Sequence, residues 1–372
     1  METNKKQKKK ITQVFRYAYP HIGGIESFIE VINECLPDED FKKEVVCCSN
    51  TDKTADEHGV KYIRSKYLCE FASNNISPSF IWNLSKVKTD ILHYHMPCIF
   101  AVIAHFLARP KYKKMYITYH SDITVYPNLM KYFWGIYRKF IGMADKIFVH
   151  TPYHISGSDF LKPFADKCVV IPHGIQLNYQ FDNTFVQNIK DKYRNKKILF
   201  SLGRHVKYKG FEYAIQAMKN IENAVYLLGG DGKLTENYKE YIKENGLQNK
   251  VFLLGHISDE NLNNYYEACD IYLFPSSGKT EAYGVAQLQA MRHSKPVINT
   301  WLNNGVNYVS VDKETGLTVE PENAEQLTNA INELLNNDEL RMQYGQNARK
   351  RVEDLFDIEK IKEKYKVLFR GN

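Results

Sequence analysis

The sequence has no long hydrophobic run. Across its 372 residues, no uninterrupted apolar stretch approaches the roughly 20 residues that a membrane-spanning helix needs. Any membrane contact is therefore expected to be peripheral. The apolar stretch after the lysine-rich start (Lys5, Lys6, Lys8, Lys9, Lys10) is short and broken by Arg16, Pro20 and His21, so it does not read as a secretory leader. No Cys-x-x-Cys pair occurs among the seven cysteines, Cys35, Cys47, Cys48, Cys69, Cys98, Cys168 and Cys269. Several sit in apolar runs such as Val45-Val46-Cys47-Cys48, and they read as small buried hydrophobes in a reducing, cytoplasmic compartment. No Gly-x-Gly-x-x-Gly appears, which argues against a nicotinamide-dependent dehydrogenase. Nothing resembles a nucleic-acid-binding motif, and the basic residues are scattered, so nucleic acid is not an expected partner. There is no low-complexity tract beyond the N-terminal lysines.

What is present is ordinary in bulk. The chain is 44% hydrophobic and 25% charged, and Lys+Arg 50 against Asp+Glu 43 gives a mildly basic +7. The length exceeds what one core usually spans, so two domains are expected. Short apolar strands alternate with amphipathic helical stretches. In the first half the strands fall at Ile11–Tyr17, Glu44–Ser49, Ile91–His95, Met115–Tyr119, Lys146–His150 and Cys168–Ile171. In the second half they fall at Lys197–Leu202, Val225–Leu228, Val251–Leu254, Ile271–Phe274 and Pro296–Asn299. Such alternation argues parallel βαβ units, and two rounds of it argue two Rossmann-like α/β domains. An asparagine-rich, charged stretch before Lys196 reads as a linker with one short helix. The expected division is residues 1–175, 176–355 and a final amphipathic helix in 356–372, with Ile358, Ile361, Tyr365 and Leu368 at helical spacing.

Four local features fall at strand ends, where open α/β sheets bind ligands. Gly23-Gly24 follows the first strand and would let backbone approach a substrate closely. Gly203-Arg204 ends a strand and Lys209-Gly210 opens the next helix; an Arg fork and a flexible Lys on one loop suit two neighbouring phosphates, although a solvated loop explains them too. Gly229-Gly230-Asp231-Gly232 fits a tight turn as readily as a ligand loop. Phe274-Pro275-Ser276-Ser277 leads to Glu281 and then to a helix starting near Gly284, whose free N–H groups would meet a diphosphate. Glu281 could hold sugar hydroxyls or simply favour the helix dipole.

Taken together these features resemble the GT4 family of retaining glycosyltransferases, which have the GT-B fold. The resemblance runs from Tyr19-Pro20-His21-Ile22-Gly23-Gly24-Ile25-Glu26 through Thr118-Tyr119-His120-Ser121-Asp122, Ile171-Pro172-His173-Gly174-Ile175, Gly203-Arg204 with Lys209-Gly210, and Glu281 to Met291. It implies two Rossmann-like domains facing across a cleft, with the C-terminal helix crossing back to the first. It also implies a nucleotide diphosphate sugar as co-substrate and no metal or other cofactor. Position by position, Gly23 and Gly24 would lie by donor phosphate and acceptor, and His120 would face the transferred sugar. Arg204 and Lys209, beside Gly203, would neutralise the leaving diphosphate. Gly230 and the backbone at His256 and Ile257 would touch the nucleotide. Glu281 would contact the donor sugar, and the amides of Tyr283, Gly284 and Val285 would meet phosphate. Where the family carries a second Glu to hold the ribose, this chain has Gln289. An amide can still bond two hydroxyls but loses charge-assisted strength, about 1–2 kcal/mol. The matching stretches look closest to bacterial polysaccharide mannosyltransferases. That implies hexosyl transfer, first from GDP-mannose, to a lipid-linked saccharide acceptor of O-antigen or capsule type at the inner face of the cell membrane; a UDP-hexose or UDP-N-acetylhexosamine donor and a non-catalytic sugar-nucleotide-binding relative are the alternatives.

Three further signals have plainer readings. Asp38-Glu39-Asp40 precedes a strand rather than ending one, and reads as a solvated loop. His93-x-His95 lacks further ligands at metal-site spacing. Met130, Phe133, Trp134, Tyr137 and Ile141 form one helical stripe, with Lys131, Arg138 and Lys139 elsewhere on the helix and Arg109, Lys111, Lys113 and Lys114 upstream. A basic, aromatic helix of this kind suits an anionic membrane surface, or else a core helix of the first domain.

Overall fold

The computed structural model describes residues 7–21, 23–71, 74–123, 127–278 and 281–371. Lys5, Lys6, Ile22 and the Met130 side chain lie outside the described residues. The chain divides into two compact units, Met1–Pro172 with Glu359–Asn372, and His173–Ile358. The division falls a few residues from 175 and 355 because Ile175 belongs to the second core. Its N–H donates to the Phe356 carbonyl at 2.8 Å, and its own carbonyl accepts from Ile358 N–H at 3.1 Å.

The first unit contains β1 (Lys9–Val14), β2 (Phe41–Ser49), β3 (Lys53–Glu57), β4 (Val60–Lys66), β5 (Cys69–Phe71), β6 (Asn74–Ile76), β7 (Lys88–Met96), β8 (Lys111–Tyr119), β9 (Lys146–Val149) and β10 (Cys168–Val170). Eight of these form one sheet in the order β10-β9-β8-β7-β1-β2-β4-β3, parallel except for the antiparallel edge strand β3. The last five residues of β8, Met115 to Tyr119, are all buried, as a central parallel strand covered on both faces requires. β3 and β4 were not legible as strands: β3 is a polar edge, and β4 interleaves Lys61 and Arg64 with its apolar residues. β5 and β6 pair as a short separate hairpin.

Ile358–Arg370 packs within this first unit. Tyr365 lies 6.0 Å from the Phe28 ring and 5.6 Å from Phe148, while Phe369 lies 5.4 Å from Tyr116. Both side chains are fully buried. Burial of each is worth roughly 1.5–3 kcal/mol, which holds the end of the chain in place. Asp40 of the expected solvated loop is tied to this helix through Arg370, while Asp38 and Glu39 are exposed.

The helix Pro127–Gly142 turns its aromatic stripe inward. Tyr137 and Ile141 are buried, and Trp134 sits 4.4 Å from Phe160. The outward face is a different set: Lys131, Tyr132, Ile136, Arg138 and Lys139. The core reading therefore holds for the stripe, and any membrane face is this second set.

The second unit holds a six-stranded parallel sheet of β11 (Lys197–Leu202), β12 (Ala224–Gly229), β13 (Val251–Gly255), β14 (Ile271–Phe274), β15 (Val297–Thr300) and β16 (Gly316–Val319). The order is β13-β12-β11-β14-β15-β16. The linker helix Asn183–Lys192 is capped by Asp182, which accepts from the N–H groups of Thr184 and Phe185. All seven cysteines are free, and burial pushes the thiol pKa of Cys47 and Cys269 up to about 12. Among the described residues no helix is long and apolar enough to cross a membrane.

Candidate active site

Three loops of the second unit converge at the C-terminal ends of its strands. The loop after β11 runs through Gly203 and Arg204 into a short turn, Lys207–Lys209, and stops at Gly210. Gly210 has φ +63°, and a Cβ there would lie 2.1 Å from the Pro275 carbonyl oxygen. Only glycine fits, because the loop after β14 presses directly against it. That contact is fastened by Ser277 N–H, which donates to the Tyr208 carbonyl at 2.8 Å.

The crossing brings Lys209 to Glu281. Lys209 Nζ stands 2.5 Å from a Glu281 carboxylate oxygen, with both side chains mostly buried. The Lys209 ammonium also sits 5.4 Å over the Phe274 ring. Asn304 Nδ2 donates to the Glu281 carbonyl at 2.8 Å, which fixes the backbone that presents the carboxylate. Arg204 is exposed and donates to the Tyr208 hydroxyl at 3.3 Å, so much of its fork faces outward.

Gly284 caps the helix Val285–Arg292 with φ +75°, where a Cβ would press on the Phe274 ring at 2.8 Å. The buried Tyr283 donates its hydroxyl to the His173 carbonyl at 3.3 Å. Val285 is 48% exposed, so the start of this helix opens outward with its first N–H groups. Gln289 lies about one turn along the same helix and is partly buried. The loop after β12 closes the other side. Gly230 has φ +105°, and a Cβ would meet the Gly203 carbonyl at 2.0 Å. Gly230 N–H donates to the Gly255 carbonyl at 2.7 Å, which brings in exposed His256 and half-buried Ile257. Arg204, Lys209, Glu281, Gly203, Gly230, Tyr283, Gly284, His256 and Ile257, with Val285 at the start of its helix, thus all lie beyond the C-terminal ends of strands of the second sheet.

The remaining sequence-derived residues belong to the first unit. Gly23 caps the helix Gly24–Cys35, and a Cβ on Gly24 would meet nothing within 4 Å, so backbone is accessible there. His120 follows β8. Both of its ring nitrogens reach other histidines: Nε2 lies 3.3 Å from His95 Nδ1, and Nδ1 lies 3.1 Å from His150 Nε2. A direct N–H bond from His120 to a sugar would therefore displace one of these.

His95 and His150 were missed as a group by sequence reasoning. The legible signal was one histidine at the end of each of three successive strands. His93 is buried, its Nε2 meets the Thr118 hydroxyl at 2.8 Å, and desolvation lowers its pKa to about 3. His205 was also missed. It is buried between the loops after β11 and β12, where its Nδ1 meets the Thr235 hydroxyl at 2.8 Å.

Residues 182–351 match the family model described as glycosyl transferases group 1, and residues 22–179 match Glycosyltransferase Family 4. O-antigen chain mannosyltransferase C of Escherichia coli is 30% identical over 97% of this chain and 98% of its own length. The chain belongs to the GT4 glycosyltransferases. D-rhamnosyltransferase WbpZ of Pseudomonas aeruginosa is 27% identical over 91% of this chain and 90% of its own. Among solved structures, the Anabaena HepE protein in complex with UDP superposes with a TM-score of 0.71 at 18% identity, covering 96% of this chain and 98% of that one. Membership makes the chain a glycosyltransferase with two Rossmann-like domains of GT-B type.

Proposed function

We propose that this glycosyltransferase moves a hexose, first mannose from GDP-mannose, with retention to a lipid-linked saccharide in bacterial surface-polysaccharide assembly. The observation that carries the proposal is the Lys209–Glu281 pair set beside an open helix start and an exposed Arg204. A nucleotide diphosphate would draw Lys209 and Arg204 to its oxygens and release Glu281 toward the hydroxyls of the donor sugar. As the glycosidic bond breaks, negative charge grows on the diphosphate, and the same cations and amides stabilise it most in the transition state. Mannose and an O-antigen acceptor are favoured by the likeness to the Escherichia coli mannosyltransferase. A uridine donor is the second choice, favoured by the likeness to the HepE protein solved with UDP.

The test is incubation with GDP-mannose, UDP-glucose or UDP-N-acetylglucosamine and a lipid-linked acceptor, reading transfer of labelled sugar. Transfer from GDP-mannose alone supports the first choice. Tight donor binding without transfer, with transfer restored by Gln289→Glu, supports a sugar-nucleotide-binding relative instead. Peripheral membrane contact through Lys131, Arg138 and Lys139, with Tyr132 86% exposed between them, is part of the same proposal. Equal recovery with neutral and anionic vesicles on flotation would remove it.

A further inference from the structure

His95 is the penultimate residue of β7, His120 follows β8, and His150 follows β9, so three imidazoles line the ends of three neighbouring parallel strands. Their protons can be assigned from the two ends inward, because each end rests on an oxygen that only accepts. At one end Asn33 Nδ2 donates to the Glu30 carboxylate at 3.4 Å, which leaves Asn33 Oδ1 to accept from Gln13 Nε2 at 2.7 Å. Gln13 Oε1 then faces His95 Nε2 at 2.9 Å, so that nitrogen carries its proton. At the other end His150 Nδ1 meets the Ile171 carbonyl at 3.2 Å and is likewise protonated. As neutral rings, His95 and His150 present lone pairs at Nδ1 and Nε2. Both lone pairs point at the two nitrogens of His120. Four hydrogen bonds need four protons, and three neutral imidazoles supply three.

We propose that His120 is held as an imidazolium, with His95 and His150 as positioning residues that accept from both its nitrogens. The charge stays on the middle ring. His95 is fully buried, and desolvation first, then His93 and His150, push its pKa well down, whereas His120 is only partly buried. Hydrogen bonds from a cation are about twice as strong as neutral ones, which favours the fourth proton over a broken bond.

Among the ionisable groups on the surrounding elements of this unit are Arg16 after β1, Glu26, Glu30 and Glu34 on the helix Gly24–Cys35, His93 in β7, Tyr119 at the end of β8 and Asp122 after it, His154 after β9, and Tyr365 on the last helix. His93 and His154 have lowered pKa values through burial, and Tyr365 is raised by burial, so these three stay neutral near pH 7. With both nitrogens engaged, His120 acts on a bound ligand through its charge rather than by donating to a sugar hydroxyl. Its attraction to a leaving diphosphate rests on the nucleotide-sugar reading above.

The experiment is ¹⁵N NMR of histidine-labelled, ligand-free, chelator-treated protein at about pH 7.5, one unit above the ordinary histidine value. The expected result is one ring with both nitrogens protonated, missing from His120→Gln and reduced at least about fivefold in folded His150→Leu, which removes an acceptor. A wild-type His120 ring with a single proton at that pH overturns the proposal, as does a doubly protonated signal unchanged in His150→Leu. No donor is present, so the outcome is independent of whether a nucleotide sugar binds.

Discussion

Lys209 Nζ and the Glu281 carboxylate meet at 2.5 Å although 72 residues separate them in sequence. Their meeting follows from one glycine. Gly210 lets the loop after β11 press on the Pro275 carbonyl, and the next turn of chain delivers Glu281. Two mostly buried charges neutralise each other until an anion competes for the cation.

Arg204→Ala and Lys209→Ala are each expected to lower transfer about 100-fold or more, comparable with the loss of one oxyanion-hole donor. Steady-state rates with donor in excess check this, with circular dichroism as the folding control. Near-normal rates in both variants remove these residues from the diphosphate.

Gly210→Ala should destabilise the second unit by about 2 kcal/mol or more. A left-handed backbone disfavours alanine by roughly 1–2 kcal/mol, and the Pro275 carbonyl must move as well. Urea unfolding measures the loss. An unchanged midpoint would mean that the two loops do not press together.

Gln289→Glu should tighten nucleotide-sugar binding about tenfold, because a carboxylate makes stronger bonds to ribose hydroxyls than an amide. Isothermal titration reads the change. Equal affinity would mean that position 289 does not meet the ribose.

Stability should fall as pH drops from about 6.5 toward 4. Burial lowers the folded-state pKa of His93 to about 3 and of His105 to about 4, while in the unfolded chain both titrate near 6.5. Below 6.5 the unfolded chain therefore binds more protons, and each step down in pH favours unfolding. Thermal midpoints across this range check the sign. A flat profile would contradict the burial of both rings.

The sequence made the parallel strands legible, because the buried parts of β8, β11 and β14 are mostly apolar, with helices between them. It hid β3, β4 and β16, whose short or polar composition carries no such signal until a neighbouring strand supplies the pairing. The loop residues Arg204, Lys209 and Glu281 were legible as separate motifs, since each lies on a loop that follows a strand. Their convergence was not, because it depends on contacts across 72 residues. His95, His120 and His150 were legible only as one histidine at the end of each of three successive strands; that they meet depends on the strand order β9-β8-β7. The aromatic stripe on the helix Pro127–Gly142 allowed two readings, and Tyr137 and Ile141 went to the core.

The most direct measurement is a crystal structure of the protein with GDP or UDP. The account predicts the terminal phosphate within hydrogen-bonding distance of Lys209 Nζ and the amides of residues 283–285, with the Arg204 fork on the same diphosphate. A diphosphate bound away from all of these groups, with the Lys209–Glu281 pair still closed, would contradict it.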